Sequence, residues 1–323
     1  MAGGQERILR RRIKSIQSTK KITKAMELIA ASQIVRAQGR IAAAKPYQRG
    51  MARIVLETAL GDPNAAGRLL GTPESVENVT ILCVVADRGL CGGYNTMVFR
   101  ATERLLARYA ADGVNARLFT VGKKAQGYFR FRGQAVEQSF IGMSERPTFA
   151  DAQTVAAAVL SPFVLGEADQ VMIVSTRFLS AGSQKVEERQ LLPLIDPREP
   201  ERQDKDLERA EHDAGLDSPE KLGYTEFEPD AAVLLQTLGP RAAETEIFGA
   251  LLEASASELT SRQRAMAAAT DNAGELIKKY SRIMNRARQD TITTEIMEIV
   301  GGAEALRAGI NDDEGGIIIE ARV

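Results

Sequence analysis

At 323 residues, with 26 % charged and 5 % aromatic side chains and no tryptophan, the chain exceeds one ordinary domain of roughly 100 to 200 residues and carries much exposed surface around a modest core. Its 42 Lys and Arg against 43 Asp and Glu exclude a polyelectrolyte that seeks nucleic acid by overall charge, although the balance is a cancellation between unlike segments. The longest apolar run, 79–86, is far short of the roughly 20 residues that span a bilayer, and residues 1–12 lack the apolar core of a signal peptide.

Two cysteines, Cys83 and Cys91, are too few for a disulfide framework in a chain of this size and suit a reducing compartment, so a cytoplasmic address is expected. In chain order, 5–44 holds no proline and one glycine, Gly39, with Leu9, Ile13 and Ile16 and then Ile22, Met26 and Ile29 at helical spacing. Forty such residues make a helix of roughly 60 Å. Pro46 is expected to kink or interrupt it, with helix resuming to Leu60. Its first part is basic: Arg7, Arg10, Arg11, Arg12, Lys14, Lys20, Lys21 and Lys24 stand against Glu6.

Residues 61–78, rich in Gly, Pro and Asn, read as a linker. Beyond it the pattern changes to short alternating elements. The run 79–86 has the β-branched continuity of a strand buried on both faces, and Asn95 can cap a helix with Val98, Ala101, Leu105 and Tyr109 on one face. Strand 116–121, helix 123–131, strand 135–140, a helix from Thr148 to Leu160 with a capping box to Asp151, and strand 170–176 follow, with 184–194 a further edge strand. This is a small doubly wound α/β domain.

Residues 196–229 contain four prolines, and 196–230 holds thirteen Asp or Glu against five Lys or Arg, the composition of a solvated insert. From Pro240, read as a first-turn proline, to Val300 there is no other proline, and Gly301 and Gly302 read as a stop. Leu259, Met266, Ala273, Tyr280 and Ala287 recur every seven residues, with Ala269, Leu276 and Ile283 interleaved, and Arg262 falls where that series asks for an apolar side chain. After Ala287 the stripe shifts to Ile292, Ile296 and Ile299, which implies a change of neighbour. Two long helices at opposite ends of the chain, with a domain between them, pair most economically with each other, antiparallel.

Catalytic groups are sparse. The lone histidine, His212, sits in the acidic insert; no spaced Cys/His set suggests zinc, and no base accompanies either cysteine. The stretch 87–95 joins a strand to a helix, where doubly wound domains hold phosphate, but it matches neither glycine-rich phosphate motif and reads as a structural turn. The basic N-terminal cluster is open to three readings: a solvated face, a surface for nucleic acid or an anionic membrane, or a shaft in an acidic protein socket.

The segment 11–16 (RRIKSI), the segment 19–32 (TKKITKAMELIAAS), the loop 87–95 (DRGLCGGYN), residues 269–273 (ATDNA) and the stretch 288–302 beginning Arg288-Gln289 and ending Gly301-Gly302 together resemble the γ-subunit family of the F-type ATP synthases, over nearly all of 5–306. The resemblance implies an antiparallel coiled coil of the N- and C-terminal helices with a Rossmann-like α/β domain between them. The segments are 1–60 and 230–305 for the helices, 78–195 for the domain, 196–229 for the insert and 306–323 for a tail.

It further implies a bacterial rotor shaft, itself without catalytic, cofactor or metal sites. The expected partners are the α and β subunits of the catalytic hexamer, the ε subunit and the c-ring, with no nucleic acid and no membrane insertion, at the cytoplasmic face of the cell membrane. By the family pattern Lys20, Lys21, Lys24, Met26, Arg262, Gln289 and Thr293 contact α and β subunits, with Met26 near Arg262, Gln289 and Thr293. The insert lacks cysteine, so it carries no thiol switch. A nucleotide-using α/β enzyme with a helical arm and a coiled-coil adaptor are the competing classes.

Overall fold

The computed structural model describes residues 2–61, 67–69, 75–193, 228 and 230–313. His212, most of the insert 196–229 and the tail from 314 lie outside them. The chain divides into two compact units, Met1–Met26 with Met266–Val323, and Glu27–Ala265.

Two long helices open and close the chain, α1 (Ala2–Gly61) and, last in order, α5 (Ala231–Asp313). Three sequence expectations about them need correction. Pro46 does not interrupt α1, which is helical throughout; the proline is exposed, so the carbonyl deprived of its N–H partner can be satisfied by water. Likewise Pro240 is not in a first turn, because α5 begins nine residues earlier, after the Asp230 carbonyl accepts from Val233 and Leu234 N–H. Gly301 and Gly302 are no stop either, since the helix runs on to Asp313.

Among the covered positions of α1 one series alternates by four and three. In the first unit it is Leu9, Ile13, Ile16, Lys20 and Thr23; in the second it is Glu27, Ala30, Ile34, Ala37, Ile41, Ala44, Gln48, Met51, Val55 and Thr58. That spacing is the a/d seam of an antiparallel helix pair. The expected continuation through Ile22 and Ile29 is wrong: these are 61 % and 58 % exposed. The true seam passes through polar or small residues there, which hydrophobic periodicity does not register.

On α5 the first unit contributes Met266, Thr270, Ala273, Ile277, Tyr280, Met284, Ala287 and Thr291. Every second member agrees with the sequence reading, but the interleaved series is Thr270, Ile277 and Met284, whereas Leu276 and Ile283 are exposed. Both series satisfy a heptad, and the buried hydroxyl pair Thr23–Thr270, 2.8 Å apart, belongs to the one the fold selects. Within the second unit Ala37 and Ile41 meet Leu252, Ala256 and Leu259, and Gln48 Nε2 donates to the Thr245 carbonyl. The pairing is antiparallel in each unit.

The second unit also holds β1 (Asn78–Val84), α2 (Tyr94–Ala111), β2 (Asn115–Val121), α3 (Lys123–Phe131), β3 (Gln138–Phe140), α4 (Phe149–Val164), β4 (Gln170–Phe178) and β5 (Gln184–Leu192). The five strands form one sheet in the order β3-β2-β1-β4-β5. The first four are parallel and β5 is antiparallel to β4 at the edge. Alternation along β1 explains its continuous apolar run. Val79, Ile81 and Cys83 face α2 and α3 with Leu105, Phe129 and Leu118, while Leu82 and Val84 face α4 and the lower part of α5 with Val155, Ile247 and Leu251. The α5 segment thus covers one sheet face while its other side meets α1, which is why nearly every residue from 250 to 260 is buried.

Candidate functional site

The C-terminal ends of β1, β2 and β3 are tied by one carboxylate. Asp87, just past β1, accepts backbone N–H bonds from Lys123 at 2.9 Å, Gly142 at 3.0 Å and Ser144 at 3.1 Å, and its own N–H donates to Ser144 Oγ. Burial alone would raise its pKa, but the bonds it accepts outweigh that and hold it below the usual value. Gly122, which starts α3, has φ 100, and a Cβ there would fall on the Val85 carbonyl oxygen, so only glycine fits.

Asn95 does not cap α2 as expected. The helix starts one residue earlier without a side-chain cap, and Asn95 Oδ1 instead accepts from Ala86 N–H at 3.0 Å while its amide donates to Cys91 Sγ. It therefore closes the 87–95 turn onto the strand, which supports the structural reading of that loop. The expected capping box of α4 is present: Asp151 N–H donates to Thr148 Oγ1, and Thr148 N–H donates to Asp151 Oδ2.

Next to this loop lies an ion-paired cluster. Glu258, 1 % exposed, has Oε1 2.7 Å from Arg262 Nη2, and the buried Arg262 Nε has no hydrogen-bond partner among the described residues. Burial pushes the Glu258 carboxyl up and the Arg262 charge pulls it part of the way back. Arg262, 6 % exposed, also donates to the Gly89 carbonyl at 3.4 Å and lies 3.9 Å from Glu145, which pairs with Arg88 at 3.1 Å. The gap in the heptad is therefore an internal tie between α5 and the 87–95 loop, a role that seam analysis could not supply because its partners are distant in sequence.

The other sequence-predicted contact residues lie in the first unit. Lys21 and Lys24 are exposed and Met26 is half-buried. Lys20 is half-buried too: its Nζ would stand 3.1 Å from a Cβ on Gly274, so the glycine leaves room for the lysine to cross the seam. Gln289 and Thr293 are exposed, with Thr293 Oγ1 donating to the Gln289 carbonyl. Thr23 opposite Thr270 places Met26 level with position 267. Gln289 therefore lies 22 residues along α5, roughly 33 Å away at helical rise, and the expected proximity of Met26 to Gln289 and Thr293 is not found.

Sequence reasoning missed an outward apolar stripe on α1, where Leu28, Ile29 and the 70 % exposed Val35 stand away from the seam in the second unit; a helical wheel phased on Ala30 and Ala37 would have found it. It did anticipate that Ile292, Ile296 and Ile299 leave the seam, and all three are exposed. Cys83 is buried and its thiol is pushed up to about 12 by burial, only partly offset by Thr102, which leaves little thiolate at neutral pH. Among the described residues no cluster of three His, Cys, Asp or Glu could hold a metal, and no helix is long and apolar enough to cross a membrane.

Long terminal helices paired antiparallel, with a largely parallel sheet inserted between them in sequence, make up this fold. Solved structures share it. A chain of the Euglena gracilis mitochondrial ATP synthase, in an assembly of OSCP, F1 and c-ring, matches 99 % of this chain and 99 % of its own with a TM-score of 0.64 at 19 % identity. One from the Tetrahymena thermophila central stalk and c-ring matches 77 % and 99 % with 0.56 at 24 %.

The ATP synthase family model matches residues 5–306. The ATP synthase gamma chain of Frankia casuarinae is 43 % identical over 317 residues, 95 % of this chain and 99 % of that one. That of Mycobacterium tuberculosis is 42 % identical over 317 residues, covering 93 % and 97 %. The chain belongs to the ATP synthase gamma chain family.

Proposed function

We propose that this chain is the rotor of the central stalk of a proton-translocating ATP synthase, turning within a hexamer of α and β subunits and coupling c-ring rotation to ATP synthesis or hydrolysis. The observation that carries the reading is the seam: an unbroken a/d alternation along α1 makes a helix pair able to transmit torque, while its flanks keep apolar and basic side chains outward. A shaft must also release three equivalent positions in turn, which weak, mostly exposed contacts permit. Catalysis belongs to the partners.

Lys20, Lys21, Lys24, Met26, Gln289 and Thr293 meet α and β subunits directly. Arg262, already held by Glu258, positions the 87–95 loop for that contact rather than offering its own guanidinium. The helical segments 1–60 and 230–305 form the shaft and 78–195 the base, where the ε subunit and the c-ring dock; the complex is peripheral, on the cytoplasmic face of the cell membrane.

The purified chain should hydrolyse no ATP, and adding α and β subunits should yield a stable complex with vigorous hydrolysis. Turnover by the isolated chain, or failure to join an α/β hexamer, would remove the reading. Charge reversal at Lys20, Lys21 and Lys24 together should uncouple proton pumping from hydrolysis while the helical circular dichroism is retained. Unchanged pumping would show that these lysines are not contacts.

A further inference from the structure

In the second unit, Gln33, Arg36 and Arg40 of α1, Leu259 of α5 and the adjacent Glu145 and Arg146 line a cavity of about 240 Å³. This volume is room for roughly eight waters. Three arginines line it, Arg40 half-buried and Arg36 and Arg146 exposed. Arg36, Arg40 and Arg146 form no ion pair or hydrogen bond among the described residues. The one carboxylate in the lining, Glu145, is already engaged by Arg88 at 3.1 Å and Arg262 at 3.9 Å, so it does not neutralise them.

Arg40 is half-buried, and burial first, then the charge of Arg146, lowers its pKa. Like charges gathered in a concavity, with no acid paired to them among the described residues, make a site of positive potential. Guanidinium forks match the oxygen geometry of phosphate, the Gln33 amide adds a neutral donor, and Leu259 gives an apolar wall that limits water.

We infer that this cavity is a binding site for a phosphoryl oxyanion, either a free phosphate or diphosphate or the polyphosphate of a nucleotide. The site is separate from the contact residues of the proposed rotor function and does not depend on that reading. Its occupant would balance the three arginines and join α1 to the segment before α4.

Isothermal titration of the full chain with pyrophosphate, at constant ionic strength and against sodium chloride, tests it. Saturable binding to pyrophosphate and not to chloride is expected, and Arg40→Gln with Arg146→Gln should weaken it by roughly tenfold or more. Arg40→Lys with Arg146→Lys should lose less, because charge remains and only the fork is gone. Should the glutamine pair lower the helical signal, Arg36→Gln, at an exposed position, serves instead and should weaken binding by about threefold.

A parallel titration with ADP distinguishes the sources: tighter binding than pyrophosphate assigns a nucleotide, and equal or weaker binding assigns the free anion. Heats no larger than those of chloride, or binding unchanged by Arg36→Gln and by the glutamine pair alike, would overturn the inference.

Discussion

Asp87 shows how much one side chain carries in this fold. It accepts three backbone N–H groups, from the start of α3 and from the loop after β3. Asp87→Asn keeps the shape but removes the charge, and hydrogen bonds to charged groups are worth about 1.5–3 kcal/mol, so a loss near the lower end is expected in urea unfolding. Since the folded pKa is depressed, the contribution is complete above the unfolded value of about 3.9 and fades as acid carries the pH through the lower folded pKa. The difference between the two proteins should therefore hold at pH 6 and shrink below pH 4. Gly122→Ala should be far more costly, beyond about 4 kcal/mol, because φ 100 and the Val85 carbonyl both oppose a Cβ; insoluble expression or a collapsed melting transition would report it. The loop sequence gave no hint of the Asp87 hub or of the Arg262 tie, because each depends on residues dozens of positions away brought together by strand order.

Elements were more legible than contacts. The parallel α/β order, the capping box of α4 and the existence of an edge strand follow from runs of β-branched residues and turn chemistry that act over a few residues, whereas the antiparallel direction of that strand was not read from the sequence. The phase of the seam did not, because Lys20, Thr23, Glu27 and Gln48 occupy seam positions in α1 while isoleucines stand outside. Substitution can separate the two phases. Ala37 is buried against the Leu252, Ala256 and Leu259 cluster, so Ala37→Leu overfills a closed seam and should cost about 1–3 kcal/mol. Val35→Ala, on the exposed stripe, should stay within about 0.5 kcal/mol. A pair of melting curves decides the matter: equal losses at the two positions would place the seam elsewhere. The start of α5 was misjudged for a related reason, since Pro240 sets a local cost whereas the buried face that includes Ala231 and Leu235 sets the larger gain; the run past Gly301 and Gly302 has no such buried face.

At the scale of the molecule, stability is distributed unevenly along α5. Residues 250 to 260 are enclosed by the sheet on one side and α1 on the other, whereas 292 to 305 are exposed throughout. The register seen at Thr23 and Thr270 brings Ala2 level with position 291, and among the described residues no helix covers the exposed stretch 292–305. Its amides depend on helix hydrogen bonds alone, and a helix without tertiary packing frays readily. In the isolated chain, hydrogen exchange should be fast across 292–313 and slow across 250–260, with protection falling where the seam ends. Ile292, Ile296, Met297, Ile299 and Val300 keep an apolar surface on that stretch, and exposed apolar side chains gathered on one segment mark a binding surface. Assembly with α and β subunits should therefore slow exchange at 292–305 by orders of magnitude while leaving 250–260 unchanged, since those amides are already protected. Strong protection at 292–305 in the isolated chain would mean that the segment finds its cover within its own chain, and the apolar tip would then no longer argue for a partner.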